Sequence, residues 1–510
     1  MSEKSCDKRA IPFHSYTPFM PTTVFTITGC VDFKDWRSLL ERVNELFILG
    51  GIEKDYVTEW LRLFREQAKG KRIDPRTIIG QQEQATRALR CTFLRVMLGT
   101  DYRDLSVRLA DSELLRWFIG MSDLKDKPTP SKSSLERYEK ALGEGKIREL
   151  CQKLLVLATQ EPQEGKRQAL ELAQVERIEN YFLDVTCVKG MIHFPVDWVI
   201  FRDATRTLVK AMILIREQGL KHRMTPPEDF MKSMNRLCIA MTHQSRKKDS
   251  KKKRKGILRS MKALMKIVQK HAEHHRDLLK SNWKETDWTL PAAQQVIDRM
   301  ESVLEQLPEA MKQAHDRIIG GRLTDNDQKI LSLYEPEMNV IVRGKAGATV
   351  EFGNSLRLGE TESGLIIDWK LYKDQAPSDH KVAMEGVKET QKTFKIKTLV
   401  MDRGGDSKSN QQELEILGIK NGICPKDPEK LSAKMKEPEF REWQTRRAQT
   451  EARISIFKNC FLGRPFRSKG FEHRELLVTW GVFVHNLWVI ARKEKAPPKI
   501  QAEAPLQEAA

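Results

Sequence analysis

The 510-residue chain has no C-x-x-C pair: its eight cysteines, Cys6, Cys30, Cys91, Cys151, Cys187, Cys238, Cys424 and Cys460, are scattered singly. That spacing excludes a zinc knuckle and offers no disulfide framework, so a reducing setting is expected. An apolar run long enough to span a bilayer is also missing. The longest, Val478 to Ala491, is short and contains His485 and Asn486. Residues 1–15 carry Glu3, Lys4, Asp7, Lys8 and Arg9 without an apolar stretch, so no secretory signal is read and a cytoplasmic location is the expectation. No G-x-S-x-G elbow occurs, and Gly344-Lys-Ala-Gly-Ala-Thr349 does not follow the order of a phosphate-binding loop, so no nucleotide cofactor is expected. Acidic residues are in deficit, 70 against 89 Lys+Arg, for a net charge of +19. Such an excess calls for a polyanionic partner, and nucleic acid is the default.

Hydrophobic periodicity divides the chain. Residues 1–75 read as a partly helical leader, with Trp36, Leu39, Leu40, Val43, Leu46 and Phe47 on one stripe. Residues 76–142 form an N-terminal helical domain, with Ser131 as a cap, and 143–176 a helical linker. From Tyr181 the texture becomes β-branched and aromatic. Strands are expected at Tyr181–Val188, Asn339–Arg343, Thr349–Leu358, Gly364–Tyr372, Thr398–Asp402 and Gly422–Cys424. Helices are expected at 198–218, 380–392, 411–417, 439–461 and 474–493, with a long, charge-rich helical insertion at about 219–325. The Pro/Ala/Gln-rich tail, 494–510, reads as disordered. With the insertion removed, the order across 177–493 approaches that of an RNase H-like α/β domain.

Three acids stand at telling places. Asp184 lies inside an apolar strand, where a charge is costly without a partner or a task. Asp402 ends a later strand before Gly404-Gly405, where taken alone it reads as a turn residue. Glu451 shares a helix face with Gln444, Arg447 and Lys458, though a lone glutamate on so basic a helix would read as a solvated ion-pair partner. Carboxylates from two strands and one packed helix are the set that holds two Mg²⁺ ions about 3.5–4 Å apart for phosphoryl transfer.

Leu183-Asp-Val-Thr186 followed by Ile192-His-Phe-Pro-Val-Asp197 resembles the first catalytic-aspartate segment of bacterial insertion-sequence DDE transposases. Val400-Met-Asp-Arg-Gly404 resembles the second. Arg447-x₃-Glu451-x₆-Lys458 resembles the Y-x₂-R-x₃-E-x₆-K signature around the third acid, with Gln444 where that pattern has tyrosine. Arg343-Gly-Lys345 with Val350-Glu-Phe-Gly353, Trp480 to Leu487, and Asp101 to Tyr138 resemble further pieces of the same proteins. The resemblance implies an enzyme of RNase H-like fold that cuts element ends and joins their 3′-hydroxyls to target DNA. It implies Asp184, Asp402 and Glu451 as catalytic metal ligands for Mg²⁺, with Mn²⁺ as a substitute, and Arg447 and Lys458 as phosphate contacts. Its partners would be double-stranded DNA (terminal inverted repeats and target) and a second copy of the chain, in a cytoplasmic, nucleoid-associated setting. The rival readings are a domesticated, non-catalytic DNA-binding protein and a structure-specific nuclease on the same fold.

Weaker signals remain. Arg246 to Lys255 holds eight cations in ten residues, and Lys251, Lys252, Lys253 and Arg254 are assigned to DNA phosphate, against the alternative of a solvated loop. His271, His274 and His275 have helical metal-ligand spacing but no fourth ligand nearby. His193 reads as a packing histidine with an outside role in positioning substrate. Asp197 and Asp203 are rivals to Asp184 but have no strand beneath them.

Overall fold

The computed structural model describes residues 29–70, 72–121, 128–164, 166–248, 250–345, 348–463 and 466–497. Residues 1–28 of the expected leader and 498–510 of the expected disordered tail lie outside the described residues, as do Ala346 and Gly347 of the Gly344–Thr349 stretch.

Among the described residues the first seven helices are α1 (Val31–Leu49), α2 (Ile52–Gln67), α3 (Pro75–Leu98), α4 (Tyr102–Asp111), α5 (Glu113–Phe118), α6 (Lys132–Lys140) and α7 (Glu144–Thr159). Local signals set their ends. Asp74 accepts the Arg76 N–H with Pro75 in the first turn of α3, and Gly99, at φ +62°, closes that helix. Asp101 and Ser131 cap α4 and α6. Only the first half of the expected 143–176 linker is helical, because α7 stops ahead of Pro162, which disfavours helix in the residue before it. The apolar stripes of these helices join one core with the sheet and with the last helix, so the N-terminal helices and the sheet are packed as one body. Arg90, fully buried, donates to Glu53, Asn44 and the Phe118 carbonyl, which ties α1, α2, α3 and α5 together.

Among the described residues the sheet has six strands: β1 (Asn180–Lys189), β2 (Asn339–Lys345), β3 (Ala348–Glu360), β4 (Ile366–Leu371), β5 (Thr398–Val400) and β6 (Lys420–Asn421). The protein is therefore a mixed α/β structure. β1 and β4 run antiparallel to β3 on its two edges, and β2 continues along the β4 edge beside the first half of β3. β5 lies parallel to β1, and β6 parallel to β5. The path β4–β3–β1–β5–β6 is thus three antiparallel strands followed by two parallel ones. β5 stops two residues earlier than the apolar run implies, so Asp402 lies just beyond it. β6 is assigned at Lys420–Asn421, just ahead of the expected Gly422–Cys424, whose Gly422 and Cys424 N–H groups still donate to the Leu399 and Met401 carbonyls at 2.8 and 3.0 Å.

Between β1 and β2 the chain builds a separate four-helix bundle from α8 (Asp197–Glu217), α9 (Pro227–Ser245), α10 (Lys251–Asn282) and α11 (Leu290–His315). Its own core includes Phe201, Leu208, Met212, Met234, Met265 and Leu307. The insertion therefore takes in α8, starting about twenty residues before the composition shift near 219.

Among the described residues, five helices complete the sheet-bearing part: α12 (Asp379–Gln391), α13 (Lys408–Ile416), α14 (Pro428–Lys434), α15 (Pro438–Ile456) and α16 (Phe471–Ala491). α16 carries the longest apolar run and is buried nearly all round, as an interior helix must be. Asn486 makes two hydrogen bonds to the backbone of Ile366 in β4, 2.9 Å and 2.8 Å, which explains a polar residue in that run. Among the described residues no helix is long and apolar enough to cross a membrane.

Candidate active site

Alternation along β1 puts Phe182, Asp184 and Thr186 on one face of the sheet and Tyr181 and Leu183 on the other. The first face meets α15, where Phe182 and Val400 pack with Phe440 and Trp443. Phe182 and Val400 are register partners in the parallel pair. Asp184 and Asp402 each stand two residues beyond that pair, so they leave neighbouring strands side by side. Asp184 is half-buried, with Oδ1 accepting the Val185 N–H at 2.7 Å.

Asp402 Oδ1 accepts the Gly404 N–H at 2.9 Å, an Asx turn that fixes the carboxylate. A Cβ on Gly404 would fall 2.5 Å from Asp379 Oδ2 and 3.0 Å from Asp402 Oδ1. The bare backbone at that position therefore lets Asp379, at the start of α12, approach Asp402. No motif in the sequence marks Asp379.

Glu451 is carried by α15, and a buried polar joint sets its position. Arg446 donates to Glu360 Oε1 at 3.0 Å and to the Thr361 and Glu362 carbonyls at 2.9 Å each. Thr450 adds a hydrogen bond of 2.8 Å to the same carboxylate. Because Arg446 and Thr450 lock one ridge of α15 to the end of β3, the adjacent ridge of Arg447 and Glu451 is fixed in rotation. Arg447 Nε donates to Gln444 Oε1 at 2.9 Å, and Gln444 Nε2 donates to the Gly422 carbonyl at 2.7 Å. Gln444, in the place of the resembled tyrosine, thus ties Arg447 to the end of β6. After Ile456 the helix widens into a π-helical turn, Phe457–Phe461, a deviation frequent at functional sites. Lys458 lies in that turn, and its Nζ donates to Thr186 Oγ1 at 3.1 Å.

Asp184, Asp402, Glu451 and Lys458 all line one open cavity of about 880 Å³, together with Asp379 and Glu351. Arg447 and Gln444 lie one and two turns back along α15, outside that lining. Among the described residues, no group of three or more His, Cys, Asp or Glu side chains is arranged to hold a metal ion. The cavity donors are nevertheless carboxylate oxygens, the ligand type Mg²⁺ takes with water and substrate phosphate making up its shell. In donor chemistry the residues present fit the implied ion.

The remaining candidates lie elsewhere. Asp197 is buried against Arg317 and Gln313, 2.9 Å from each, which is a bundle joint. Asp203 is buried near Arg202 and Arg206, and His193 Nε2 stands 3.5 Å from it. Lys251, Lys252 and Lys253 are exposed and Arg254 half-buried in the first turn of α10, outside the cavity lining. His271, His274 and His275 are joined by His222 from the α8–α9 connection, with ring centroids 5.1, 4.3 and 4.5 Å from it. This histidine cluster is not in metal-holding geometry either.

No family model, no curated protein and no solved structure matches the chain.

Proposed function

We propose that the chain is a DDE transposase with an RNase H-like catalytic half, cutting the ends of an insertion sequence and joining them to target DNA. The observation that carries this reading is the meeting of Asp184, Asp402, Glu451 and Lys458, from separate segments, at one open cavity. The strand path supports it: three antiparallel strands then two parallel ones, with one acid inside β1 and another just past its parallel neighbour β5. So does the formal charge of +19.

In this reading Asp184, Asp402 and Glu451 would hold Mg²⁺, or Mn²⁺ in its place. When bound, these ions supply the Lewis acidity that in-line phosphoryl transfer needs. The chain's own residues do the positioning. The Asx turn at Gly404 fixes the Asp402 carboxylate, and the Arg446–Glu360 joint fixes the rotation of α15 and with it Glu451. Lys458 places a point charge between Thr186 and the cavity, where a backbone phosphate would lie. Arg447, oriented by Gln444, offers its remaining N–H groups as a fork for a phosphate entering along α15. Water attacks first and a DNA 3′-hydroxyl second, so no covalent protein–DNA link is required. Joining two ends calls for two copies of the chain, and the setting is the cytoplasm, on the nucleoid.

The test is strand cleavage of DNA carrying the sequences that flank this reading frame. Mg²⁺-dependent nicking by the wild-type chain and none by Asp184→Asn supports the reading. End binding without cleavage in the wild type would favour the non-catalytic DNA-binding alternative.

A further inference from the structure

α10 is 32 residues long and faces its bundle with Leu258, Met261, Met265, Val268 and Ala272. About a third of a turn away runs a second row: Lys251, Lys255, Arg259, Lys262, Lys266 and Lys270, spaced four, four, three, four and four residues apart. Between Lys251 and Lys270 there are nine Lys or Arg and no Asp or Glu. Several other cations of the bundle are paired: Lys280 with Glu301, Arg276 with Asp277, Lys232 with Asp229 and Arg317 with Asp197. Among the described residues none of the six in the row has an ion-pair partner. Their crowding begins at the positive end of the helix dipole, with no acid in the first turn, and so opposes the stability of the free helix. Neighbouring segments extend the field. Lys312 of α11 shares a depression with Lys262 and Lys266, and Arg223 of the α8–α9 connection shares another with Lys270.

We propose that this row is a rail for the phosphate backbone of duplex DNA, a grip separate from the cavity of the three acids. The proposal rests on DNA being the partner, as the proposed function has it. Nineteen residue steps at about 1.5 Å make a rail of about 28 Å, the length of about eight base pairs. Two features select the duplex. Residues 251–270 contain no Phe, Tyr or Trp on which the bases of a single strand would stack. The apolar face of α10 is buried in the bundle, so it is not free to enter a lipid surface. The rail also narrows the reading of the basic run, since of Arg246–Lys255 Lys251 and Lys255 lie on the row and Lys252 beside it. Lys252, eighteen residues before Lys270 and so in the same direction, stands at the edge of the row, and Lys253 points away from it.

The experiment compares two charge-matched variants of the full chain. The rail variant carries Arg259→Gln, Lys262→Gln, Lys266→Gln and Lys270→Gln. The run variant carries Arg246→Gln, Lys247→Gln, Lys248→Gln and Lys253→Gln. Affinity for a duplex of about 30 base pairs and arbitrary sequence is measured with EDTA present at several salt concentrations, and circular dichroism checks that helix content is kept. Each phosphate contact contributes about 0.9 to the slope of log K against log[salt], so the rail variant should lose about 3 from that slope. The run variant should lose less than half as much. A third variant that keeps every charge on the rail, with Arg259→Lys, Lys262→Arg, Lys266→Arg and Lys270→Arg, should keep the wild-type slope.

A rail variant with the wild-type slope overturns the proposal, as does a run variant that loses as much. In either case a wild-type chain that still binds duplex leaves the proposed function standing. A wild-type chain that binds anionic-lipid vesicles and no duplex overturns both.

Discussion

Arg446 and Glu360 form a buried ion pair, Nη2 to Oε1 at 3.0 Å, between residues 86 positions apart in the chain. It joins α15 to the end of β3, and through it the third acid keeps its place opposite the first. Removing Arg446 leaves the buried Glu360 carboxylate with the Thr450 hydroxyl and, 3.9 Å away, Arg453, so the loss falls short of the roughly 3–5 kcal/mol of a wholly unpaired buried charge. Arg446→Met is expected to lower the urea midpoint, and Arg446→Met with Glu360→Gln should recover part of that loss. A double variant no more stable than the single one would remove the pair from the account.

Gln444 and Arg447 are expected to act as a unit, because Gln444 bridges Arg447 to the Gly422 carbonyl. Arg447→Ala should reduce cleavage more than end binding. Gln444→Ala should reduce cleavage in the same direction by roughly tenfold, the effect of one lost hydrogen bond to a charged group. The two together should be no worse than Arg447→Ala alone. Full additivity in this double-mutant cycle would show that Gln444 does not orient Arg447.

Gly404→Ala should impair cleavage while sparing DNA binding. The added methyl meets Asp379 Oδ2 at 2.5 Å and Asp402 Oδ1 at 3.0 Å, so one carboxylate must turn away. Combining Gly404→Ala with Asp379→Ala removes the nearer clash and should restore part of the activity, if Asp402 is the carboxylate that matters. No recovery in the double variant would point to Asp379 itself as the required group.

Much of this arrangement is legible in the sequence. Asp184 stands out because a charge interrupts an apolar strand, and Glu451 with Lys458 because their spacing returns to one helix face. The pairing of Phe182 with Val400 follows the same logic: two apolar strand ends, each with an acid two residues on, suit neighbouring parallel strands. Other parts are out of reach. Asp379, Glu360 and His222 meet their partners through tertiary packing, and no local pattern announces a contact made across so much chain. The basic run shows what composition leaves open. Eight cations in ten residues draw the eye, yet the five of them in α10 are sorted by the helix onto different faces, and the continuous row extends fifteen residues beyond the run. The start of the insertion is hidden for a similar reason, since α8 is apolar enough to read as part of the sheet's own layer.

Stability should fall in mild acid. Burial pushes His275 and His485 down to about 4. His485 sits among the rings of Phe457, Phe461 and Trp488, with Arg453 nearby, and His275 sits among His222, His271 and His274, with Arg216 nearby. The unfolded chain binds protons near the ordinary histidine value of about 6.5 while the folded one does not. The unfolded state therefore gains protons first, and stability is lost as pH falls from about 6.5 to about 4, with the larger share from His485, the more deeply enclosed of the two. Melting temperatures from pH 7 to pH 4.5 check this. His485→Phe should flatten the profile, and an unchanged profile would exclude His485 as a contributor.

The most direct measurement of the central claim is Mg²⁺-dependent cleavage of end-bearing DNA by Asp184→Asn, Asp402→Asn and Glu451→Gln, each beside the wild type. Asp197→Asn and Asp203→Asn serve as controls, since both aspartates lie outside the cavity lining. Each of the three cavity variants should lose a factor of roughly 10²–10³ or more in rate while binding ends at least as well as the wild type, because each loses a charge that would act on the reacting phosphate. The controls should keep cutting. Near-wild-type cleavage by any one of the three cavity variants would contradict the account.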